Sequence, residues 1–149
     1  MKAAACVTAV ALLCIGSSCA FARDEYMMLS ISQTIKSPEA QALVHGRIKL
    51  FFARQGHPQV LKDIGDRQIT KKTRAVGKGD QAACVQAFFG ALFELQELAE
   101  KEGGNAVVDI HSDYKDVPAT NESQYVCGTG LVTARVVLTG RVVRLGQKQ

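Results

Sequence analysis

DQAACVQAFFGALFELQELAEKEGGNAVVDIHSDY, residues 80–114, is the stretch that decides the fold. Over its first two thirds, apolar residues recur every three or four positions, which predicts one long helix with a single apolar face. Asp80 can accept hydrogen bonds from the first turn, and Gly103 can adopt the positive φ that ends a helix, so both limits are predicted. A strand follows, and its core-facing side is predicted to consist of alternate residues: Ala106, Val108 and Ile110.

The rest of the chain predicts strands and short helices around this unit. In order, the predicted elements are a strand over 26–31, a helix over 38–44 capped by Ser37, a strand over 48–53, helical turns over 60–65, an extended segment over 68–76, and strands over 124–127 and 131–145. Gly128 and Gly130 are expected to bend the first of the last two strands, and Gly140 to interrupt the second.

The first 22 residues have the character of a secretory signal peptide. One lysine precedes an apolar run over residues 3–15, and the segment ends in Ala20-Phe21-Ala22, which fits an A-x-A cleavage site. Such a run reaches only about 20 Å as a helix, against about 30 Å for a hydrocarbon core, which disfavours a membrane anchor. We expect cleavage after Ala22 and export from the cytosol. Lipid attachment at Cys19 is an alternative, although the leucine-like residue expected three positions earlier is absent.

Removal of the signal peptide leaves residues 23–149, the size of a single small domain. Three of the five cysteines belong to the signal segment, so the mature chain keeps Cys84 and Cys127. An even number of cysteines in an oxidising compartment predicts that these two form a disulfide. Cys84 would lie on the buried face of the helix and Cys127 in a strand packed against it. Two buried free thiols are the alternative.

Charge is divided unevenly along the chain. Residues 47–79 carry nine lysines and arginines against two aspartates, whereas residues 80–125 carry nine acidic residues against two lysines. One interpretation is a basic surface for an anionic partner, such as lipid headgroups, a cell-wall polymer or an acidic protein. The other is that solvated charges neutralise one another within or between subunits. Nucleic acid is disfavoured as a partner, because no aromatic residues are interleaved with the basic ones.

Asp109, His111 and Asp113 are the only candidate metal ligands. Their alternation would place all three on one strand face, and imidazole and carboxylate groups suit zinc or a similar ion. Same-face neighbours lie about 6.6 Å apart in a strand, so the two aspartates cannot both reach one ion and an outside ligand would be needed. A solvent-facing polar strand edge is therefore the default interpretation, and no metal site is predicted.

No catalytic or cofactor-binding residues are predicted. No serine sits in a G-x-S-x-G turn and the mature cysteines are predicted to be bonded, so no nucleophile is visibly paired with a base. Gly77-Lys78-Gly79 resembles part of a phosphate-binding loop. It lacks the glycine that such a loop has five residues before its lysine, and no Ser or Thr follows Lys78. We therefore predict a non-enzymatic protein.

A family resemblance covers about residues 80–145. The order of the helix, E-G-G-N-A-V-V-D-I at 102–110, Tyr114 and the segment Tyr125 to Gly128 resembles the YbjQ-type domain family. Its members are also called heavy-metal-binding domains and are similar to the outer-membrane stress-sensor lipoprotein RcsF. With G-H-P-Q-V-L-K at 56–62 and Lys71-Lys72, the mature chain also resembles small exported bacterial proteins labelled "excinuclease ATPase subunit". The sequence contradicts that label, because it has neither a Walker loop nor zinc-finger cysteines.

The resemblance implies an α+β domain in which one long helix packs on a mostly antiparallel sheet. It also implies a Gram-negative periplasmic location and ring-like self-assembly. Our leading hypothesis is a periplasmic interaction or oligomerisation module that contacts itself, an envelope protein or an anionic envelope component. The alternative is a divalent-metal-binding or envelope stress-sensing protein that uses His111 with Asp109 or Asp113.

Overall fold

The computed structural model describes residues 25–38, 40–41, 46–115 and 123–147. The predicted signal peptide and part of the predicted 38–44 helix lie outside these residues, although Pro38, Ala40 and Gln41 are helical. The elements in chain order are β1 (Glu25–Ser30), α1 (Ile31–Thr34), β2 (Lys49–Phe52), β3 (Val60–Arg74), α2 (Asp80–Lys101), β4 (Ala106–Ser112), β5 (Gln124–Thr129) and β6 (Thr133–Leu145). No helix in the described part is long and apolar enough to cross a membrane.

All the remaining strands are attached, directly or through one neighbour, to β6. β3 pairs antiparallel with β6 along its length, from Val60 opposite Leu145 to Arg74 opposite Thr133. The other edge of β6 is shared, because β5 pairs with residues 134–136 and β4 with residues 138–143. β1 adds antiparallel to β5, and β2 adds parallel to β4. The predicted combination of helix and sheet is confirmed, in the form of a mixed sheet that divides into two arms at Val137.

α2 packs on one face of this sheet, called the helix face below. The predicted limits, a start at Asp80 and an end before Gly103, which has φ 77°, are confirmed. The predicted capping role of Asp80 is wrong, because Gly79 occupies the N-cap position and Asp80 is the first helical residue. Phe88 stacks on Tyr125 with ring centroids 4.1 Å apart. Removal of the apolar face of α2 from water is the main contribution to the stability of the fold. The fully buried apolar residues of α2 recur every three or four positions: Ala83, Cys84, Ala87, Phe88, Ala91, Leu92, Leu95 and Ala99.

A disulfide joins α2 to β5. The Sγ atoms of Cys84 and Cys127 lie 2.06 Å apart, and the Cα atoms 5.8 Å apart. Both residues are fully buried where α2 packs on the sheet. The disulfide predicted from the cysteine count is therefore confirmed.

The prediction that Ala106, Val108 and Ile110 of β4 face the core under the helix is wrong in part. A bulge between Val108 and His111 adds one residue to β4, and Asp109 there has φ 54°. One extra residue exchanges the two faces of a strand, since side chains alternate. Val107 and Ile110 consequently pack under α2, while Ala106 and Val108 pack on the opposite, outer face of the sheet.

The helical turns predicted over residues 60–65 are wrong, because these residues begin β3. Register shifts between Val60 and Lys62 and between Asp63 and Gly65 interrupt the alternation of side chains. The resulting spacing of apolar residues imitates a helix in the sequence. Pairing with β6 over the whole length of β3 decides the strand conformation instead.

Gly140 does not interrupt β6, contrary to prediction. The strand continues to Leu145, and Gly140 lies where the β4 bulge crosses it. A Cβ atom at position 140 would come within 2.6 Å of the Val107 Cγ1 atom. Glycine is therefore needed for the close approach of two strands rather than for a break.

Loss of the disulfide is expected to lower the free energy of unfolding by about 4 kcal/mol, because the open chain regains the entropy of a loop whose ends are 43 positions apart. Urea denaturation of Cys84→Ala/Cys127→Ala measures this change. Wild-type protein refolded in reductant is the matched control, since it keeps both sulfur atoms. Equal urea midpoints with and without reductant would contradict a stabilising role.

Stability is expected to fall at alkaline pH because of Tyr125. Burial raises the pKa of Tyr125 to about 12, and this effect exceeds the opposing effect of the Thr34 side chain. The unfolded chain releases the tyrosine proton near its ordinary pKa of about 10, so the folded state holds that proton more strongly. The free energy of unfolding is unaffected below about pH 10 and falls by roughly 3 kcal/mol between about pH 10 and 12.

Tyr125→Phe is the matched variant for this effect. The Tyr125 hydroxyl has no hydrogen-bond partner within the described residues, so its removal is expected to cost little stability near neutral pH. Urea unfolding at about pH 9 and about pH 11 should show a smaller loss in the variant than in the wild type. Identical losses would mean that other groups cause the alkaline sensitivity.

Candidate anion-binding site

Two of the three candidate metal ligands, His111 and Asp113, have other hydrogen-bond partners. The His111 Nδ1 atom lies 2.7 Å from the backbone carbonyl oxygen of Asp109. Asp113 accepts a hydrogen bond of 2.6 Å from Gln68 Nε2 and one of 3.4 Å from Thr139 Oγ1. Among the described residues, no group of three or more His, Cys, Asp or Glu side chains could hold a metal ion.

Part of the basic segment is neutralised within the chain by acids of α2 and the turn that follows it. Lys71 Nζ lies 2.9 Å from Glu94 Oε2, and Arg67 Nε lies 3.0 Å from Glu102 Oε1. Arg47 forms a more exposed pair with Glu100 at 3.2 Å. These contacts support the interpretation that the two oppositely charged segments neutralise each other within one subunit.

A pocket of about 200 Å³ opens on the outer face of the sheet, where β3, β5 and β6 run side by side. We call it the cation pocket, because three of its lining residues are cationic. No carboxylate is present among the described residues that line it, which are Lys72, Tyr114, Lys115, Gly128, Thr129, Gly130, Thr133 and Arg135.

Two cations in the pocket lie directly opposite each other. Lys72 of β3 is the cross-strand neighbour of Arg135 of β6, and Gly128 of β5 is the neighbour of Arg135 on the other side. Like charges at directly opposed positions destabilise a sheet. The Nε atom of Arg135 is also buried with no hydrogen-bond partner in the described structure. Burial of an unpaired donor on a charged group costs further free energy.

The same ribbon shows a neutralised pair on the same face. Six residues before Lys72, Asp66 lies opposite Arg141, and Arg141 Nε donates to Asp66 Oδ1 at 3.0 Å. Asp63 Oδ2 lies 3.8 Å from the same guanidinium. Asp66 lies about 20 Å and Asp63 about 30 Å along β3 from Lys72, and both distances are too great for these acids to neutralise the pocket. On this face, Arg141 has an aspartate as its cross-strand neighbour, whereas Arg135 has Lys72.

Tyr114 forms one wall of the pocket. Its ring lies against Gly128, where an added Cβ atom would come within 2.0 Å of the Tyr114 hydroxyl oxygen. Tyr114 is buried with Val126 and Val137 in a small apolar cluster on the outer face. Lys115 Nζ lies 5.7 Å from the Tyr114 ring centroid, a cation–π distance. Gly128 therefore serves ring packing rather than the predicted bend, since β5 continues through it.

The chemistry that this arrangement offers is binding of an anion. Lysine and arginine supply donors with full positive charge, and the Arg135 guanidinium has the planar geometry that suits carboxylate or phosphate groups. Backbone and hydroxyl groups of Gly130 and Thr133 lie at the rim. The described lining residues include no histidine, cysteine or carboxylate, so they provide electrostatic attraction and hydrogen-bond donors.

Sequence reasoning missed this pocket. Lys72 stood out only as half of the Lys71-Lys72 pair, and strand alternation then sends Lys71 to Glu94 on the helix face and Lys72 to the outer face. Arg135 lies far away in the sequence, and only the register of β3 against β6 brings it opposite Lys72. The basic character of residues 47–79 was the one available signal.

Comparison of the sequence with models of known protein families gives no match, and neither does comparison with curated proteins. The resemblance to the YbjQ-type family therefore stays a prediction from the sequence.

Proposed function

We propose that the mature chain is an exported, non-enzymatic interaction module of the bacterial envelope, and that it holds an anionic group of an envelope component in the cation pocket. The observation that carries this proposal is the directly opposed pair of Lys72 and Arg135, with no carboxylate among the described residues that line the pocket and with the Arg135 Nε atom buried. A bound anion would accept hydrogen bonds from both side chains. It would thereby offset the repulsion between the two cations that the protein carries alone.

Export is supported by the disulfide between Cys84 and Cys127. Structural disulfides persist in oxidising compartments such as the periplasm and are rare in the cytosol. The signal-peptide pattern over residues 1–22 indicates the same route.

Self-association is a second contact of the proposed module. The ion pairs between the basic segment and the acids around α2 already form inside one chain, which leaves fewer charges for attraction between subunits. β1 offers another surface, because within the described sheet it pairs only with β5. Its residues Tyr26 and Met28 are exposed, and exposed apolar side chains can contact a second subunit.

Export is tested by expressing the full chain in a Gram-negative host and sequencing the N-terminus of the periplasmic product. Arg23 is expected as its first residue, because cleavage follows Ala22. Ala22→Asp, which places a charge next to the cleaved bond, is the matched control and should keep residues 1–22. Full-length protein found only in the cytosolic fraction would contradict this part of the proposal.

Anion binding is tested by titration of the exported protein with inorganic phosphate at constant ionic strength. The amide signals of Gly128 and Gly130 should shift and saturate in NMR spectra. Lys72→Gln and Arg135→Gln should each weaken phosphate binding by about tenfold or more, because each removes a charge-assisted hydrogen bond. Without phosphate, the free energy of unfolding in urea should be no lower for Arg135→Gln than for the wild type, because the variant removes the repulsion with Lys72 and the unpaired donor.

Arg144→Gln is the control for charge alone. Arg144 is exposed on the same strand, about 30 Å along it from Arg135. This variant should bind phosphate like the wild type. Equal weakening by Arg144→Gln and Arg135→Gln, or shifts that do not saturate, would show general attraction of ions and would overturn the pocket assignment.

A further inference from the structure

We infer that the cation pocket faces a membrane surface, where it holds the phosphate of an anionic phospholipid while the β5–β6 turn inserts among the lipids. This inference rests on the proposed function, since it names the source of the anion. It depends on a second set of residues, located at the end of the sheet beside the pocket.

The turn between β5 and β6 exposes two apolar side chains. Gly130 N donates to Thr133 O at 2.9 Å, which closes a four-residue turn with Leu131 and Val132 at its centre. Their exposed fractions are 77% and 57%. Such turns normally carry Gly, Asn, Asp or Ser, whose side chains favour water. The packing of the described residues does not require apolar side chains at this position.

The neighbouring turn extends the apolar surface. Ala75 N donates to Val132 O at 2.9 Å, which joins the segment after β3 to the β5–β6 turn. Val76 follows and is also largely exposed. Val76, Leu131 and Val132 together form what we call the apolar tip.

Cations stand directly behind the apolar tip. The two ends of its turn, Gly130 and Thr133, themselves line the cation pocket. Arg74 lies opposite Thr133, and Lys72 lies on the same face two residues earlier, about 6.6 Å farther from the tip. The order from the tip inward is apolar side chains and then cations.

That order matches the layers of a bilayer surface. Apolar side chains that enter the acyl boundary bring flanking lysine and arginine groups to the depth of the lipid phosphates. A soluble anion would account for Lys72 and Arg135 but not for the exposed tip. A lipid surface accounts for both.

The charge balance at this end of the molecule favours an anionic surface. Lys78, whose Nζ donates to Gln86 Oε1 at 3.0 Å, adds a further cation two residues after Val76. Among the described residues, two acidic ones also lie at this end, Asp80 at the start of α2 and Glu25 opposite Thr129. The described cations of the pocket and the two turns outnumber these two acids.

Vesicle sedimentation tests the inference with the exported protein. Binding is expected to vesicles of mixed phosphatidylglycerol and phosphatidylcholine and not to phosphatidylcholine alone. Leu131→Ser/Val132→Ser should weaken vesicle binding on the order of tenfold or more while leaving phosphate titration unchanged. Arg135→Gln should weaken both, by about fivefold for vesicles.

Leu61→Ser is the matched control for loss of an exposed apolar side chain. Leu61 is 68% exposed near the opposite end of β3, so this variant should bind vesicles like the wild type.

A second measurement uses tryptophan fluorescence, because the chain contains no tryptophan of its own. Leu131→Trp supplies a single indole, whose fluorescence should shift to the blue on anionic vesicles and be quenched by lipids brominated in the acyl chain.

The outcomes separate the inference from the proposed function. Saturable phosphate binding without vesicle binding, or vesicle binding that the tip variant leaves unchanged, would overturn lipid docking and leave the anion-binding module in place. A partner of the pocket would then be a soluble anion or an acidic protein. If the wild-type protein does not bind phosphate, both the pocket assignment and the lipid inference are overturned.

Discussion

A β-strand has two hydrogen-bonding edges, and in this protein three strands pair with β6. β3 takes one edge completely, so β4 and β5 must divide the other. Ser112 fills the point of division, where its hydroxyl accepts from Val126 N at 2.9 Å and lies 3.4 Å from Val137 O. Unpaired backbone groups would otherwise remain buried there. Tyr114 follows two residues later and covers the same point on the outer face.

The cation pocket is a consequence of that division. β5 ends its pairing with β6 at Val136, and Tyr114, two residues after the end of β4, lies on the outer face beside this point. Tyr114 packs on Gly128 there and forms a wall over the row that joins Lys72, Arg135 and Gly128. The wall that stabilises the divided sheet is thus the same side chain that encloses the like-charged pair.

Features that depend on residues close together in the sequence could be predicted, whereas features that depend on pairing between distant strands could not. α2 and its limits follow from local periodicity and end residues, and the disulfide follows from a count of cysteines. The errors at residues 60–65, Asp109 and Gly140 share one cause, since each lies at or opposite a bulge. A bulge is specified by pairing between distant strands and leaves only a broken alternation in the sequence. The pocket depends on the same distant pairing, so neither Arg135 nor Gly128 could be assigned to it beforehand.

The repulsion between Lys72 and Arg135 is tolerated because the opposite face of the same strands is strongly held. Cys127 precedes Gly128 and pairs across β5 and β6 with Val136, which follows Arg135. The disulfide to Cys84 therefore fixes β5 beneath α2 at the residue next to the pocket. Side-chain alternation separates the two tasks by one position: Cys127 and Val136 face the helix, and Gly128 and Arg135 face the cation pocket. Stability is concentrated on one face of the sheet, which leaves the other free to carry an arrangement of like charges that is unfavourable in the protein alone.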